Sequence, residues 1–394
     1  MADRLCEEII INVLQRLPIK ILLRCTAVCK SWYSLITTPQ FISSHLHFAV
    51  SGGNKSPFLF IRRCLENSER YDFILDNNDS ITPHSSLEFP FRSINPFFTI
   101  VGACNGLICL SDDRMYYTPT IILWNPLLKK SVLLPKPDPI HNFCGTFSQS
   151  LGFGFDLIST DYKVVRIAYA DHISVRRPLV ELYELSTHEW RDLSFLALDH
   201  VIYSKSRSAY VNGATHWVTR HVDSYDLVLS FHMSNEVFSE VLLPCSLTDD
   251  DLAVVKDLLV LNDSLALILS SMSSFCVWVM KEYGVRESWS KHLSFDLRSL
   301  GERLVRPLWV RKGGGILAVL EDGRLICCNL GEGKEKDEEI IKDIGVGRSR
   351  SEDYRRSIHV DSHVESLVLL EKGILTSAKL STLKVMEIDW GKRG

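Results

Sequence analysis

Short apolar runs recur along most of this chain at a nearly constant spacing. They begin near residues 57, 106, 162, 213, 264, 315 and 366, a step of about 50 residues. In several units an apolar strand is followed by a strand that ends in a Trp- or Phe-bearing turn, as in ELYELSTHEW (181–190) and LSFHMSNEVF (229–238). A period of about 40–50 residues with four short strands per unit is typical of β-propeller blades. The spacing therefore predicts an all-β propeller-like domain over residues 57–394, with six to eight blades and seven as the best value.

The repeat also predicts how the domain closes. A four-stranded unit of this kind has two apolar faces, so it is buried only between neighbouring units. We expect residues 366–390 to complete a blade with the strands near residue 57, because closure of the ring removes exposed sheet edges. A jelly roll or a β-sandwich with added strands is the alternative architecture for the same runs.

Residues 1–47 have a helical pattern instead. Apolar residues recur there on one face of a 3.6-residue period up to Pro18, which ends the first helix. A second run spans residues 19–36, and a third begins at Thr38-Pro39 and continues to Leu46. The sequence thus predicts a small all-α unit of three short helices, followed by a linker over residues 48–56. Because so small a unit buries little surface by itself, we expect it to present apolar area to another protein.

Composition and charge exclude several classes of partner. The chain has 44 basic and 48 acidic residues, a formal charge of -4, so we expect neither nucleic acid nor a membrane as a partner. No apolar run is long enough to span a bilayer, and the N-terminal MADRLCEEII carries acids where a signal peptide is basic. The 11 cysteines contain no C-x-x-C pair. These features predict a reduced protein of the cytoplasm, the nucleus or both.

No pattern of residues indicates catalysis or a bound cofactor. Neither His45-x-His47 nor His216-x4-His221 has the spacing of a zinc site, and no G-x-S-x-G motif occurs. Gly152-Phe153-Gly154 has no helix after it, so it predicts a close backbone approach and not a phosphate cradle. We therefore predict no catalytic residue, no cofactor and no metal, and we keep a propeller enzyme as a third hypothesis.

Other conspicuous residues are assigned structural roles. Five tryptophans lie in or near the repeated strand-and-turn phrases, and we expect them to pack between blades: Trp124, Trp190, Trp217, Trp278 and Trp289. Residues 331–357 contain 8 acidic and 7 basic residues and are predicted to form a solvated, flexible loop. Substrate-binding residues are unknown at this stage. Loops on one face of the disc are the expected location, with 138–150, 171–178, 220–226 and 245–251 as candidates.

The helical segment resembles the F-box. The pattern L-x-E-E-I-I-x-x-V-L-x-R-L-P-x-K-x-L-L-R-x-x-x-V-C-K-S-W runs from Leu5 to Trp32. The remainder resembles the F-box-associated domain of plant F-box proteins, through CNGLICL (104–110), ILWNP (122–126) and VNGATHWV (211–218). One position departs from the F-box pattern, because Cys6 replaces the usual proline.

The resemblance implies a non-catalytic substrate receptor of an SCF-type ubiquitin ligase. The F-box would dock on a Skp-family adaptor, through it on a cullin, and the β domain would capture an unknown target protein. Ten residues are the candidates for the adaptor contact: Leu5, Ile9, Ile10, Leu14, Leu17, Pro18, Leu22, Val28, Cys29 and Trp32. The alternative is a propeller scaffold or ligand-binding protein whose F-box is vestigial.

Overall fold

The computed structural model describes most of the 394 residues in a series of segments. They are residues 7–51, 58–65, 68–77, 80–113, 118–137, 147–170, 178–196, 200–202, 207–221, 225–247, 255–271, 274–296, 304–311, 315–328, 341–344, 357–371 and 374–375. Within these segments, no helix is both long and apolar enough to cross a membrane.

The N-terminal segment forms four helices, one more than predicted. They are α1 (Glu7–Leu14), α2 (Ile19–Cys25), α3 (Lys30–Ile36) and α4 (Pro39–Ser51). The predicted second helix is interrupted because Cys29 has an extended backbone, with φ −159°, and the Thr26 hydroxyl donates to the Leu23 carbonyl. Helix α4 continues to Ser51, so residues 48–51 of the predicted linker are helical, and residues 52–56 lie outside the described part of the chain.

The rest of the described chain is almost entirely β. The first strands are β1 (Phe58–Leu65), β2 (Ser68–Asn77), β3 (Ser80–Leu87), β4 (Thr99–Cys104), β5 (Leu107–Ser111), β6 (Ile121–Asn125), β7 (Lys130–Leu133), β8 (Phe147–Asp156), β9 (Asp161–Ala170), β10 (Leu179–Glu184), β11 (Glu189–Asp192), β12 (His200–Ile202) and β13 (Ala209–Val211). They are followed by β14 (Ala214–His221), β15 (Asp226–His232), β16 (Val237–Val241), β17 (Val255–Leu261), β18 (Ser264–Ser270), β19 (Ser274–Met280), β20 (Trp289–Asp296), β21 (Leu304–Val310), β22 (Ile316–Leu320), β23 (Leu325–Cys328), β24 (Ile341–Asp343), β25 (His359–Ser362) and β26 (Ile374–Leu375).

The described strands form six antiparallel sheets, so the described part of the propeller has six blades. The predicted range of six to eight includes this number, but the best value of seven is wrong. From the centre outward, the sheets are β25-β1-β2-β3, β4-β5-β6-β7-β26, β8-β9-β10-β11, β13-β14-β15-β16 with β12 also on β14, β17-β18-β19-β20 and β21-β22-β23-β24. Six of the seven predicted repeat starts coincide with the second strand of a blade. Such strands are covered on both sides, as in β5, whose five residues are all buried. That burial explains why they appear in the sequence as continuous apolar runs.

The seventh predicted start, at residue 366, does not begin a blade. Leu367 and Leu369 are buried there in a turn and not in a strand. The ring is closed by β25, which pairs with β1 with Leu59 opposite Ser362. Closure by a C-terminal strand on the strand near residue 57 is therefore confirmed, whereas the predicted closing segment, 366–390, is wrong. Its strand β26 pairs with β7 of the second blade, and residues 376–390 lie outside the described part.

Aromatic side chains join neighbouring blades, as predicted. The indole of Trp190 donates to the carbonyl of Pro135 at 2.8 Å, that of Trp217 to Leu151 at 2.9 Å and that of Trp289 to Leu242 at 3.0 Å. In each pair the acceptor belongs to the preceding blade or to the segment that follows its outer strand. Trp124 is buried, with its ring 6.2 Å from that of Phe60 in the first blade, and Trp278 is buried as well.

The charged segment 331–357 includes a strand that was not predicted. Residues Ile341–Asp343 form β24, the outer strand of the sixth blade, so the interpretation of the whole segment as one loop is wrong. A short outer strand that adjoins a single buried residue has too few apolar residues for the sequence pattern to distinguish it from the charged residues around it. Residues 331–340 and 345–356 lie outside the described part of the chain.

Candidate partner-binding site on the helices

The four helices pack on one face of the propeller. Antiparallel strands within a blade place successive connections on alternate faces, and the turn between β6 and β7 lies on the face that the helices cover. We call the propeller residues beneath the helices the docking surface; they are Leu127, Leu128, Leu367 and Leu370. The buried helical side chains packed on it are Leu14, Ile19, Leu22, Cys25, Ile36 and Phe41.

Asn125 holds the docking surface together. Its side-chain amide donates to the carbonyls of Ser366 and Val368, at 2.8 and 2.9 Å. Its side-chain oxygen accepts from the backbone N–H groups of Leu127 and Leu128, both at 3.2 Å. The ILWNP motif thus joins the β6–β7 turn to the buried run at 366–370, and both segments contact the helices.

Two polar contacts fix the orientation of the helices. The backbone N–H of Ile19 donates to the carboxylate of Glu365 at 3.0 Å. The buried ring of His45, on α4, lies 3.2 Å from the carbonyl of Leu17. This contact joins α4 to the segment between α1 and α2. Burial lowers the pKa of His45, against the opposing effects of the Leu17 carbonyl and the Glu365 charge. His45 is therefore neutral at physiological pH.

Away from the docking surface, the helices leave several apolar side chains in solvent. We call those on the first three helices and the turn before α3 the apolar helix surface; they are Ile9, Val13, Ile21, Val28 and Tyr33, while Phe48 and Val50 on α4 are also exposed. Ile9 and Val13 are 51% and 54% exposed and lie four residues apart on α1, which places them on the same face of the helix. Val28, in the turn before α3, is 65% exposed. Exposed apolar side chains concentrated on one small helical unit are a feature of protein-binding surfaces.

The structure divides the ten predicted contact residues into groups. Ile9, Pro18, Val28 and Cys29 are exposed. Ile10, Leu17 and Trp32 are partly buried against the helical core. Leu5 lies outside the described residues.

Leu14 and Leu22 are fully buried in the core that faces the docking surface. Their side chains offer no surface to a partner in this arrangement, because they pack against the chain's own propeller. The sequence showed that they lie on an apolar face, but two apolar faces exist, and periodicity alone does not say which one the propeller covers.

Sequence reasoning missed three members of the apolar helix surface, namely Val13, Ile21 and Tyr33. Val13 follows Ile9 by four residues, and that spacing was the available signal for it. Ile21 and Tyr33 adjoin residues of the F-box pattern, but no periodic signal separates their exposed side chains from the buried ones beside them.

The central channel of the propeller contains a cavity of about 520 Å³. Among its lining residues, Arg207 is 3.6 Å from Asp257 and donates to the carbonyls of Leu308 and Ile358, at 3.4 and 3.2 Å. Burial lowers the pKa of His359 to about 4, against a hydrogen bond to Asp361, and that of His363 to about 3. The guanidinium thus holds inner strands of different blades together, and both imidazoles are neutral.

The described strand ends beside the predicted target-binding segments lie at the other face of the propeller. Residues 138–146, 171–177, 222–224 and 248–251 lie outside the described part of the chain. The described strand ends that flank them, such as Leu133, Pro178 and His221, are at the face opposite the helices, because these segments join the second to the third strand of a blade or one blade to the next. The described ends of the four candidate segments therefore lie at one face.

Comparisons with known proteins agree with this two-part organisation. The family model described as "F-box domain" matches residues 3–44, and the one described as "F-box associated beta propeller domain" matches residues 64–370. The chain is similar to the F-box protein At3g07870 of Arabidopsis thaliana, with 30% identity over 82% of each chain. It is also similar to the F-box protein CPR1 of the same plant, with 29% identity over 94% of this chain and 90% of that one.

Among solved structures, TolB from Acinetobacter baumannii is similar over 84% of this chain and 71% of that chain, with 12% identity and a TM-score of 0.40. The F-box match covers the helices that carry the apolar helix surface, and the propeller match covers more than three quarters of the chain. This chain belongs to the plant F-box proteins that carry an F-box associated β-propeller domain.

Proposed function

We propose that this protein is the substrate receptor of an SCF-type ubiquitin ligase. In this role, the apolar helix surface binds a Skp-family adaptor, the adaptor connects the chain to a cullin, and the propeller holds a target protein. The chain itself performs no covalent chemistry. It contributes proximity, because it raises the effective concentration of target lysines near the charged conjugating enzyme.

The exposure of Ile9, Val13 and Val28 carries this proposal. The helices already bury one set of apolar side chains on the propeller, yet they leave further apolar side chains in solvent. A vestigial F-box would be under no requirement to keep those exposed positions apolar. The presence of exposed apolar side chains on this unit therefore favours a working adaptor contact over the scaffold hypothesis.

The two faces of the propeller suggest that the adaptor and the target bind at different places. The helices occupy one face, and the strand ends that flank the candidate target-binding segments are at the other. A target bound there would not compete with the adaptor for surface. We place this activity in the cytoplasm or the nucleus, and the nine described cysteines, none of which is in a disulfide, are consistent with a reducing compartment.

Co-purification of the full chain from plant cells tests the proposal. The wild-type chain should recover both the adaptor and the cullin. The variant Ile9→Asp with Val13→Asp should lose both together, because the cullin is reached only through the adaptor. The matched control is Leu157→Asp with Ile158→Asp, which places the same two charges at exposed aliphatic residues of a propeller turn. Recovery of neither partner by the wild-type chain would favour the scaffold hypothesis.

A further inference from the structure

Three side chains with metal-binding atoms converge in the fourth blade. His200 belongs to β12, His221 is the last residue of β14, and Glu240 belongs to β16. One ligand atom from each lies within 4.8 Å of the other two. They come from three different strands, so their sequence spacing gives no indication of the cluster.

The sheet itself brings the two histidines together. His200 is paired directly with His221 in the β12–β14 register, and the ring centroids are 5.0 Å apart. Glu240 reaches the same place from the outer strand, with its Oε1 3.1 Å from Nε2 of His200. Strand pairing therefore positions the cluster, and no loop conformation is needed to assemble it.

The surroundings restrict the orientation of these side chains. His200 is buried. The ring of His221 is stacked on that of Tyr225, with centroids 4.8 Å apart and planes inclined by 22°. The backbone N–H of His221 also donates to the Tyr225 carbonyl at 2.9 Å. Ligands that are held before the ion arrives lose less conformational entropy when they bind it.

Two imidazoles and one carboxylate are a ligand set that proteins use for zinc, with metal–ligand distances of about 2.0–2.2 Å. Tetrahedral coordination at that distance separates ligand atoms by about 3.3 Å, so no pair needs to contract by more than about 1.5 Å. Small side-chain rotations supply such a change.

Two cations, Arg220 and Lys256, share the carboxylate of Asp226. Arg220 precedes His221 in the sequence, and its Nε is 3.2 Å from the Asp226 carboxylate. Lys256 is 2.8 Å from the same carboxylate. The single negative charge of Asp226 offsets one of these two positive charges, so together they oppose a divalent cation less than two isolated charges would.

We propose that His200, His221 and Glu240 bind a Zn²⁺ ion. The ion would connect the inner segment β12 to the outer strand β16 at the face of the propeller opposite the helices. Three protein ligands leave one tetrahedral position for water. This proposal replaces the sequence-based expectation of no metal.

The proposed zinc site does not use the pair His216 and His221 that was considered from the sequence. The buried ring of His216 lies 3.0 Å from the Ala209 carbonyl and 2.7 Å from the Tyr283 hydroxyl. Nδ1 therefore contacts its own blade, and Nε2 contacts the turn between β19 and β20 of the fifth blade. His221 finds its partner on a different strand.

Zinc titration of the full chain after treatment with a chelator tests the site. We expect about one equivalent of Zn²⁺ by elemental analysis, and a rise in the unfolding temperature when Zn²⁺ is added. His221→Phe keeps a ring to stack on Tyr225 and leaves the His200–Glu240 pair intact, and Glu240→Gln keeps the shape of the side chain. Each should lower the zinc affinity by at least about 100-fold and remove the thermal shift.

The control is His292→Phe, which removes an exposed histidine from β20 in the next blade and should bind zinc like the wild-type chain. Equal zinc affinity and equal thermal shift in the wild-type chain and in His221→Phe would overturn the proposal, as would the absence of binding by the wild-type chain. Either result would mean that His200 and Glu240 form only an ion pair. Neither result bears on adaptor binding, which is measured separately on the other face.

Discussion

The carboxylate of Glu365 accepts a hydrogen bond from the backbone N–H of Ile19 at 3.0 Å, although 346 positions of sequence separate the two residues. This bond joins the first residue of α2 to the segment just before the buried Leu367. It shows that the helices and the propeller are one packed unit on this side. The adaptor contact that we propose must therefore use the side of the helices that the propeller leaves uncovered.

Glu365→Ala should weaken this docking. The backbone N–H of Ile19 loses its carboxylate acceptor, at a cost of about 1–3 kcal/mol. Hydrogen exchange should become faster in α2 while the propeller strands remain protected. The control Glu371→Ala removes an exposed carboxylate nearby and should leave exchange in α2 unchanged. Unchanged protection of α2 in Glu365→Ala would show that the bond does not contribute to docking.

Substitutions at Leu22 and Ile9 should distinguish a loss of packing within the chain from a loss of adaptor binding. Leu22→Ala should lower the free energy of unfolding of the helices by about 2–5 kcal/mol, because Leu22 is fully buried. Ile9→Ala should change it by less than about 0.5 kcal/mol, because Ile9 is exposed. Adaptor affinity of the folded chain should fall in Ile9→Ala. Chemical denaturation, monitored by hydrogen exchange of the helix amides, measures the changes in the free energy of unfolding. A large loss of stability in Ile9→Ala would contradict the assignment of that side chain to the surface.

Gly152→Ala should destabilise the contact between the third and fourth blades. A Cβ at Gly152 would lie 2.4 Å from Cζ2 of Trp217 and 2.6 Å from Cγ2 of Thr215, which is closer than atoms can approach. We expect a loss of about 1–3 kcal/mol in the free energy of unfolding. Gly102→Ala is the matched control, since its Cβ would meet nothing nearer than 3.9 Å. Equal stability of the two variants would contradict the close approach.

Stability should fall below pH 6.5. Burial lowers the pKa of His216 to about 4, that of His359 to about 4 and that of His363 to about 3. The unfolded chain, with histidine pKa values near 6.5, binds more protons than the native chain in the window between these values and pH 6.5. Stability is therefore complete above pH 6.5 and is lost as the pH falls, by roughly 1.4 kcal/mol per pH unit for each histidine.

His363→Phe tests one contribution to this pH dependence. The ring of His363 lies 4.7 Å from that of Phe73, so phenylalanine keeps the aromatic contact and removes the titration. Denaturant unfolding at pH 7 and pH 5 should give a smaller difference in free energy for the variant than for the wild-type chain. Identical differences would show that His363 is protonated in the native state as readily as in the unfolded one.

The sequence predicted the repeat well because the second strand of each blade is covered on both sides. Such strands as β5 are uninterrupted apolar runs, and six of them gave the correct spacing. The predicted range of six to eight blades includes the observed six, but the best value of seven was one too high because of residues 366–370, where Leu367 and Leu369 are buried beneath the helices and beside the second blade. An apolar run that packs under another domain has the same composition as a buried strand. Only the packing distinguishes them.

The sequence predicted only part of the candidate adaptor-binding site, again because buried and exposed apolar residues have the same composition. The F-box pattern identified the helices, and Ile9 and Val28 are exposed there. Leu14 and Leu22 have the same apolar character, but they face the docking surface. The metal cluster of His200, His221 and Glu240 could not be predicted from spacing, because strand pairing and not sequence distance brings it together.

The affinity of the purified full chain for a purified Skp-family adaptor tests the central claim most directly. Titration calorimetry should show that Ile9→Asp with Val13→Asp weakens binding by at least about 100-fold, because two aliphatic contacts worth about 1.5–3 kcal/mol each are lost. The control Leu157→Asp with Ile158→Asp should bind like the wild-type chain. Wild-type affinity in the Ile9 and Val13 double variant, with its helices folded, would contradict the claim that this surface binds the adaptor.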